Sequence, residues 1–346
     1  MTVSYQKYSV IVPSYNRADE IGELLRSFTE LDFPPARLEL IIADDGSSDN
    51  TPQVVEQFKD RLKIDLHFFH QKNQGPGAAR NMGMEKAAGD FFIFIDSDCT
   101  VRSDWLRNID EMLHREGAEA FGGRDSFRED FPPLLKAINY SMTSFLTTGG
   151  LRGGKKVKLA KFYPRSFNMG LSRGLYQRIG GFGSLRHGQD IEYSNRIHRA
   201  TDRLIYIHDA VVFHKRRTSI KKFFRQVFNW GVARINLYKI DRRMLEPLHA
   251  APALATLLLI LLIIASLLSG SVWAVTRWFF LAGLLALLLS AVHAALQYRS
   301  LRMLYLVPLV IPIQITGYGC GFLFAFFYRV ILGKEEFIGF RKHYYS

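Results

Sequence analysis

Phe91-Phe92-Ile93-Phe94-Ile95-Asp96-Ser97-Asp98 is the stretch of this sequence that decides the fold. Its first five residues are apolar without alternation, which is typical of a strand buried on both faces of a parallel sheet. Two carboxylates follow it, one residue apart. At the end of a strand they can point into one cleft, where they suit a hard divalent cation shared with substrate phosphates. Such a pair alone is also common in a turn or a helix cap, so the surrounding chain has to decide its meaning.

The chain before residue 91 alternates strand and helix patterns. Helices are predicted around residues 21–28 and 77–88, and Thr51 with Pro52 resembles a cap and first turn of another helix. The predicted strands are residues 9–12, 38–43, 65–69 and 91–95. This alternation of strands and helices is typical of an α/β fold with a mostly parallel, doubly wound sheet.

Polar and acidic residues follow three of these strands, at the edge of the sheet where ligands bind in such folds. They are Pro13-Ser14-Tyr15-Asn16, Asp44-Asp45 and Asp96-Ser97-Asp98. The first strand is not followed by G-x-G-x-x-G or by a phosphate-binding P-loop, so a dinucleotide oxidoreductase or an NTPase is poorly supported.

A series of motifs in this order resembles the family 2 glycosyltransferases over about residues 8–217, which implies a GT-A fold. The motifs are Ser9-Val10-Ile11-Val12-Pro13-Ser14-Tyr15-Asn16, Asp44-Asp45-Gly46-Ser47, Asn73-Gln74-Gly75-Pro76-Gly77-Ala78-Ala79-Arg80-Asn81, Asp96-Ser97-Asp98, Phe167-Asn168-Met169-Gly170, Gly180-Gly181-Phe182 and Gly188-Gln189-Asp190-Ile191-Glu192.

The resemblance implies a nucleotide-sugar site at the first of these motifs. Pro13 belongs to it, and Tyr15 and Asp45 would hold the nucleotide base, commonly uracil. Arg80 would contact the nucleotide or its diphosphate, with a surface salt bridge as the alternative.

The resemblance also implies the reacting groups. Asp98, helped by Asp96, would bind Mn²⁺ or Mg²⁺, and His214 would touch the metal or the diphosphate unless it is structural. Asp190 would be the general base on the acceptor hydroxyl, which gives inversion; the alternative is a helix N-cap. Family members usually carry Glu-Asp where this chain has Gln189-Asp190.

The carboxyl-terminal part of the chain is apolar. Residues 250–268, 278–296 and 304–328 are each long enough to span a membrane. The alternative is core helices of a soluble protein, but three such runs leave no polar face for water. The polar N-terminus does not resemble a signal peptide, so we expect a cytosolic catalytic domain in a multi-pass inner or plasma membrane protein. Residues 269–276 are then predicted to be an outside loop, with Arg299 and Arg302 inside.

The net charge of +13 is concentrated in two clusters, at residues 152–165 and 215–225. The second precedes the first apolar run, which favours anionic lipid over nucleic acid. Residues 218–243 have an amphipathic pattern, with Phe223, Phe224, Val227 and Phe228 expected to sink into the lipid interface. The alternative is a helix packed on the soluble domain.

Arg225-Gln226-Val227-Phe228-Asn229-Trp230 resembles the Q-x-x-R-W motif of processive polysaccharide synthases, with Asn229 in place of the arginine. Gln226 and Trp230 would line an acceptor site, although Trp230 is also a candidate interfacial anchor.

The sequence thus predicts a catalytic domain at 1–217, an interfacial segment at 218–247 and a membrane region at 248–346. We expect an inverting, metal-dependent transferase that acts on a lipid-linked or membrane-proximal glycan in polysaccharide biosynthesis, with membrane lipids and no nucleic acid as partners. A polyprenyl-phosphate glycosyltransferase, a processive synthase and a non-catalytic membrane scaffold are the alternatives.

Overall fold

A computed structural model describes residues 5–126, 132–144, 162–214 and 219–340. These residues form two compact units. The sheet unit contains residues 5–126 and 163–214, and the helical unit contains residues 132–144, 162 and 219–340. The domain boundaries predicted at residues 217 and 247 stay predictions.

The sheet unit is a mixed sheet with the order β3-β2-β1-β4-β7-β6-β8-β5 and helices on both faces. Its strands are β1 Tyr8–Ser14, β2 Leu38–Asp44, β3 Asp65–His70, β4 Phe91–Phe94, β5 Cys99–Val101, β6 Ala120–Ser126, β7 Met169–Ser172 and β8 Leu204–His214. Its helices are α1 Ala18–Thr29, α2 Thr51–Glu56, α3 Pro76–Lys86, α4 Trp105–Glu116, α6 Arg173–Ile179 and α7 Gln189–Ala200, with a 3-10 turn at Pro35–Arg37.

Strand β1 shows why the sheet is doubly wound. All of its residues are buried, and successive side chains point to opposite faces. Val10 and Val12 pack in one apolar cluster with Leu24 of α1, whereas Ile11 packs in the other with Ala79 of α3. Because both faces of the strand meet helices, residues 10–12 in its middle are continuously apolar instead of alternating.

The predicted parallel half of the sheet is confirmed, because β2–β3, β1–β2 and β1–β4 pair in parallel. The second half is mixed, with β7 antiparallel to both β4 and β6, β5 antiparallel to β8, and β6 parallel to β8. Thr51 is not a helix cap, since it is the first residue of α2 and Asn50 holds the N-cap position. The predicted helix at 77–88 ends at Lys86, because Ala87 already has an extended backbone.

The helical unit contains three helices that are long and apolar enough to cross a membrane, by length and composition. Its helices are α5 Pro133–Thr143, α8 Ile220–Ile240, α9 Pro247–Leu268, α10 Gly270–Tyr298 and α11 Met303–Phe326, with short turns at Arg242–Met244 and Phe327–Ile331. Their outer faces expose large apolar side chains such as Leu267 and Leu268. Exposure of this kind suits contact with lipid tails.

The loop predicted at residues 269–276 is wrong. Only Ser269 interrupts the helices, with an extended backbone, and α10 begins at Gly270. The Ser266 hydroxyl donates a hydrogen bond to Thr276 Oγ1 at 2.8 Å, which ties α9 to α10 beside this single-residue break. The Ser269-Gly270-Ser271 sequence resembles a loop, but one extended residue is enough to separate the two helices here.

Helix α8 also departs from its prediction. Phe223 and Val227 are fully buried in a cluster with α5 and α11, so they do not sink into lipid. The amphipathic pattern is real, but its apolar side packs on protein. Lys221, Lys222 and Arg225 are exposed on the other side.

Glycines allow α8 and α11 to approach backbone to backbone. A methyl group at Gly321 of α11 would overlap the carbonyl oxygen of Phe228, and one at Gly231 of α8 would overlap that of Tyr318. Gly317 lies four residues before Gly321 and faces Val227. This small-xxx-small spacing is a common way for helices to associate in membranes.

We expect Gly321→Ala to lower the free energy of unfolding by about 1–3 kcal/mol, because the added methyl forces the two backbones apart. The measurement is thermal or denaturant unfolding of the whole protein in detergent. Gly283→Ala is the matched control, since a Cβ at Gly283 of α10 meets nothing within 4 Å. Equal stability of the two variants would contradict the close packing of α8 on α11.

Candidate active site

The carboxyl ends of β1 and β2 form the first part of the site. Pro13 is buried inside β1 beside Ala43 of β2, whereas Tyr15 follows the strand and is half-exposed. Asn16 has a left-handed backbone with φ 51°, and its side-chain oxygen accepts a hydrogen bond from Ser48 N at 2.8 Å. Of Pro13 and Tyr15, only Tyr15 is therefore open to a ligand at this edge.

Asp45 holds the turn that begins α3. Its carboxylate is buried and accepts hydrogen bonds from Gln71 Nε2 at 2.7 Å, Gln74 N at 2.9 Å and Gly75 N at 2.7 Å. Gly75 adopts φ 96°, a conformation that glycine tolerates best. The carboxylate thus fixes the Gly-rich turn in this structure, and its contact with a nucleotide base stays a prediction.

Arg80 of α3 is a buried cation beside the first aspartate of the Asp96-Ser97-Asp98 motif. It is only 5% exposed, its Nη2 donates to Asp96 Oδ1 at 2.5 Å, and its guanidinium lies 5.4 Å from the Phe182 ring centre. Within the described residues, the buried Arg80 Nε has no hydrogen-bond partner. Arg80 is therefore not a surface side chain, although Asp96 is partly exposed, and its contact with the nucleotide or diphosphate stays a prediction.

Asp96 and Asp98 stand at the end of β4, as predicted, and a third carboxylate joins them. Burial raises the pKa of the Cys99 thiol, and the negative charges of Asp98, Asp96 and Asp125 raise it further. Asp125 lies in β6, which was not predicted from the sequence. The strand is Ala-Phe-Gly-Gly-Arg-Asp-Ser, and this sequence has no strand pattern that would have pointed to Asp125.

The predicted metal ligands are only partly described. Cys99 pairs with His214 across β5 and β8, which brings the His214 backbone beside the Asp98 motif, but the His214 side chain lies outside the described part of the chain. Among the described residues, no three His, Cys, Asp or Glu side chains form a metal-binding group. Asp96 and Asp98 nevertheless fit Mn²⁺ or Mg²⁺ as donors, since hard cations take carboxylate oxygens and complete their shell with phosphate and water.

Asp190 lies in the first turn of α7. Its Oδ1 accepts from Ile191 N at 3.0 Å, and its Oδ2 accepts from Arg165 Nη1 at 3.1 Å. Gly188 occupies the N-cap position, so the helix-cap alternative for Asp190 is wrong. The Asp190 side chain is 24% exposed, which leaves it reachable by an acceptor.

The charge around Asp190 keeps it ionised. Burial acts to raise the pKa of Asp190, but the charge and hydrogen bond of Arg165, the Ile191 N–H and the charge of Arg80 outweigh burial. The pKa of Asp190 is therefore below the usual range of an aspartate. Arg80, which pairs with Asp96, thus also helps to lower the pKa of Asp190.

Comparison with known proteins decides the family. The model for Glycosyl transferase family 2 matches residues 9–180. The chain belongs to the family 2 glycosyltransferases. It is similar to the glycosyltransferase AglE of Haloferax volcanii, with 28% identity over 254 residues that cover 72% of this chain and 80% of AglE. Being an enzyme of this family, the protein is not the non-catalytic scaffold considered above.

Two further relatives extend this comparison. A GalNAc(5)-diNAcBac-PP-undecaprenol beta-1,3-glucosyltransferase of Campylobacter jejuni is 36% identical over 120 residues, which cover 34% of this chain and 37% of that enzyme. Several other relatives are covered over only 25% to 52% of their length. The mannosyltransferase PcManGT of Pyrobaculum calidifontis shares the fold at a TM-score of 0.61 and 20% identity, over 91% of this chain and 88% of that one. The GT-A prediction is confirmed.

Gln189 shows how this glycosyltransferase accommodates its departure from the family's Glu-Asp pattern. The Gln189 side-chain amide donates to the carbonyl oxygen of Gly183 at 3.1 Å. An ionised glutamate could not donate this bond, because a carboxylate only accepts. The substitution is thus explained by a local backbone contact.

Asn229, which replaces the arginine of Q-x-x-R-W, forms hydrogen bonds with the protein backbone in the helical unit. Its Nδ2 donates to Phe340 O at 2.8 Å and its Oδ1 accepts from Phe340 N at 2.9 Å. About two helical turns further on, Asn236 Nδ2 donates to Phe337 O at 3.0 Å. Both asparagines are buried, so they fasten residues 337–340 along α8 of the glycosyltransferase.

The predicted acceptor residues Gln226 and Trp230 also lie on α8, and both are half-buried. Trp230 packs against the apolar cluster of α5, α8 and α11. Their contact with an acceptor stays a prediction. The basic residues 152–161 and 215–217 lie outside the described residues, but Arg165, the last of the first cluster, contacts Asp190, a role that the sequence analysis did not assign to it.

Proposed function

We propose that this glycosyltransferase moves a sugar from a nucleotide-sugar donor, a UDP-sugar, to a hydroxyl group of a lipid-linked or membrane-proximal glycan, with inversion. The observation that carries the proposal is the position of Arg80, which binds Asp96 at 2.5 Å and also lowers the pKa of Asp190. One buried arginine thus contacts a donor-side carboxylate and acts on the predicted base, which supports assigning both to the same site. The family resemblance supports UDP as the nucleotide.

The residues of the site support a single displacement. The acceptor oxygen forms the new bond to the anomeric carbon, the bond from that carbon to the diphosphate oxygen breaks, and the hydroxyl proton passes to Asp190. One base and a single attack give inversion. Asp96 and Asp98 would hold Mn²⁺ or Mg²⁺, which when bound would neutralise the charge of the leaving diphosphate. Arg80, already buried beside Asp96, would add a fixed positive charge at the same place.

A hydroxyl acceptor is favoured over a polyprenyl phosphate by Asp190 itself. A phosphate acceptor is already an anion and needs no base, whereas a hydroxyl does. A processive synthase is less favoured because Asn229 is engaged with Phe340 backbone, so the position holds no cation for the diphosphate.

A membrane-bound acceptor is supported by the three apolar helices and by the Campylobacter jejuni relative, which is named for a PP-undecaprenol glycan. We propose that α9, α10 and α11 anchor the enzyme in the inner or plasma membrane with its catalytic unit in the cytosol. The exposed Lys221, Lys222 and Arg225 of α8 would meet anionic headgroups.

The function is tested with the purified protein in nanodiscs, a panel of labelled UDP-sugars and a lipid extract from the producing cells. We expect one UDP-sugar to give a labelled, lipid-soluble product whose anomeric configuration, determined by NMR, is opposite to that of the donor. Transfer from a different nucleotide class would refute UDP, retention would refute the single displacement, and hydrolysis without transfer would refute the lipid-linked acceptor.

The topology has its own test. With Cys99 and Cys320 replaced by serine, Ser271→Cys next to the α9–α10 break should react with a membrane-impermeant maleimide added to whole cells. Ser300→Cys, between Arg299 and Arg302, should react only after lysis, because basic loops stay in the cytosol. The reverse pattern would refute the orientation.

A further inference from the structure

Hydrogen bonds to the backbone carbonyl groups of Pro164 and Arg165 position Arg165 next to Asp190. Pro164 O accepts a hydrogen bond at 2.6 Å from the Ser194 hydroxyl, which lies one turn along α7 from Asp190. Arg165 O accepts from Asn168 N at 2.9 Å, just before β7. The guanidinium is thus brought to the base by the same helix that carries the base.

The contact between Arg165 and Asp190 uses only one nitrogen of the guanidinium. It is end-on, through Nη1 alone at 3.1 Å, and the Arg165 side chain is 25% exposed. Arginine carries five N–H donors in a planar fork that matches carboxylate and phosphate oxygens in pairs. Within the described residues, Asp190 is the only side chain that hydrogen-bonds to this fork. Several donors are therefore left for an anion that enters from solvent.

A permanent ion pair would also oppose the proposed reaction. Asp190 must take a proton from the acceptor hydroxyl, and a neighbouring cation makes its carboxylate a weaker base. The cation is useful if it leaves the carboxylate when the acceptor arrives. An anionic group on the acceptor would draw it away, because a phosphate competes for the same donors.

We propose that Arg165 binds a phosphate or diphosphate group of the acceptor, next to the reacting hydroxyl, and in doing so releases Asp190 to act as the base. This inference rests on the proposed function and narrows its acceptor to a glycan attached through an anionic phosphoester link. Arg80 remains with Asp96 at the donor end, so the two arginines serve the two substrates.

The test compares two acceptors of the same monosaccharide, one linked to a short prenyl diphosphate and the other to a neutral alkyl chain. We expect Arg165→Gln to raise KM for the diphosphate acceptor by about 10- to 100-fold, the effect of losing a charged hydrogen bond. KM for the neutral acceptor should change less than threefold. The affinity for UDP, measured by calorimetry, should stay within twofold of wild type.

Arg165→Lys and Arg115→Gln are the companion variants. Lysine keeps the charge but not the fork, so it should recover part of the KM loss. Arg115 forms an exposed pair with Glu116 on α4 and should show wild-type kinetics. With the neutral acceptor, Arg165→Gln should also move the acid limb of kcat/KM to higher pH, because only Arg80 and the Ile191 N–H would still stabilise the Asp190 anion.

Three results would overturn the inference. Equal loss with both acceptors would make Arg165 a support for Asp190 alone, and a matching loss of UDP affinity would assign it to the donor diphosphate. Unchanged kinetics would remove it from the site. If wild-type protein transfers to neither acceptor, the proposed function fails, and direct binding of the prenyl-diphosphate glycan to wild type and Arg165→Gln still decides the inference.

Discussion

Asp190→Asn should lower the rate of sugar transfer by about 10²- to 10⁴-fold, the usual contribution of a positioned general base. The amide has nearly the same shape as the carboxylate, so α7 and its contact with Ile191 N should survive. It cannot accept the acceptor's proton, however. Donor affinity, measured separately by calorimetry with UDP or the UDP-sugar, should remain close to that of wild type.

The pH dependence of the wild-type enzyme should reflect the same residue. Because Arg165 and Arg80 keep the pKa of Asp190 below its usual range, the base stays ionised down to acidic pH. We expect the acid limb of kcat/KM to lie below about pH 4, the ordinary value of an aspartate. An acid limb near pH 6 would point to another base.

Asp65→Asn is the matched control for Asp190→Asn. Asp65 lies at the start of β3, is exposed and pairs with Lys7 at 3.3 Å. The same chemical change at this remote position should leave transfer unchanged. Transfer by Asp190→Asn within a few-fold of wild type would refute its role as the base.

Asp98→Ala should abolish measurable transfer, with an expected loss of about 100-fold or more, because electrostatic stabilisation of the leaving group contributes several kcal/mol. Wild-type activity should disappear in EDTA and return with Mn²⁺ or Mg²⁺. Excess cation should not rescue Asp98→Ala. Calorimetric titration of Mn²⁺ in the presence of UDP should show binding to wild type and a large loss of affinity in the variant.

A folding defect has to be separated from a binding defect in this experiment. Near-UV circular dichroism and the unfolding midpoint of Asp98→Ala should match those of wild type, with Asp65→Ala as the control substitution. Full turnover in EDTA, or by Asp98→Ala, would refute the metal-dependent mechanism.

Strands β1 and β4 of the parallel half could be predicted because their buried parts are apolar. Residues 91–95 and 10–12 are buried by helices on both faces, and this leaves continuous apolar runs in the sequence. The strands of the other half lack this pattern. In β6, for example, Arg124 and Asp125 follow two glycines, so neither the strand nor the acidic residue was recognised.

The site residues could be located from motif order, but their partners could not. Arg80 and Asp96 are 16 residues apart, and Arg165 and Asp190 are 25 apart. Such pairs form only when helices and strands are packed, which residue type and spacing do not specify. Arg165 was therefore noticed only as part of a basic cluster.

In the helical unit, hydropathy could not distinguish contact with lipid from contact with protein. Phe223 of α8 and Leu267 of α9 are both strongly apolar, yet the first is fully buried and the second is 82% exposed. In a lipid bilayer and in a protein core alike, removing apolar surface from water lowers the free energy. The close packing of α11 on α8 depends on glycines such as Gly321, and a hydropathy average does not record them.

The two asparagines of α8 also bear on how variants of this enzyme should be made. Asn229 and Asn236 receive their backbone partners from residues that lie beyond the third apolar helix, at Phe340 and Phe337. A chain shortened to the last membrane-spanning residue would retain every apolar helix but leave two buried amides without those bonds. Each such amide carries a desolvation cost of about 1–3 kcal/mol. Shortened variants should therefore retain Phe337 and Phe340.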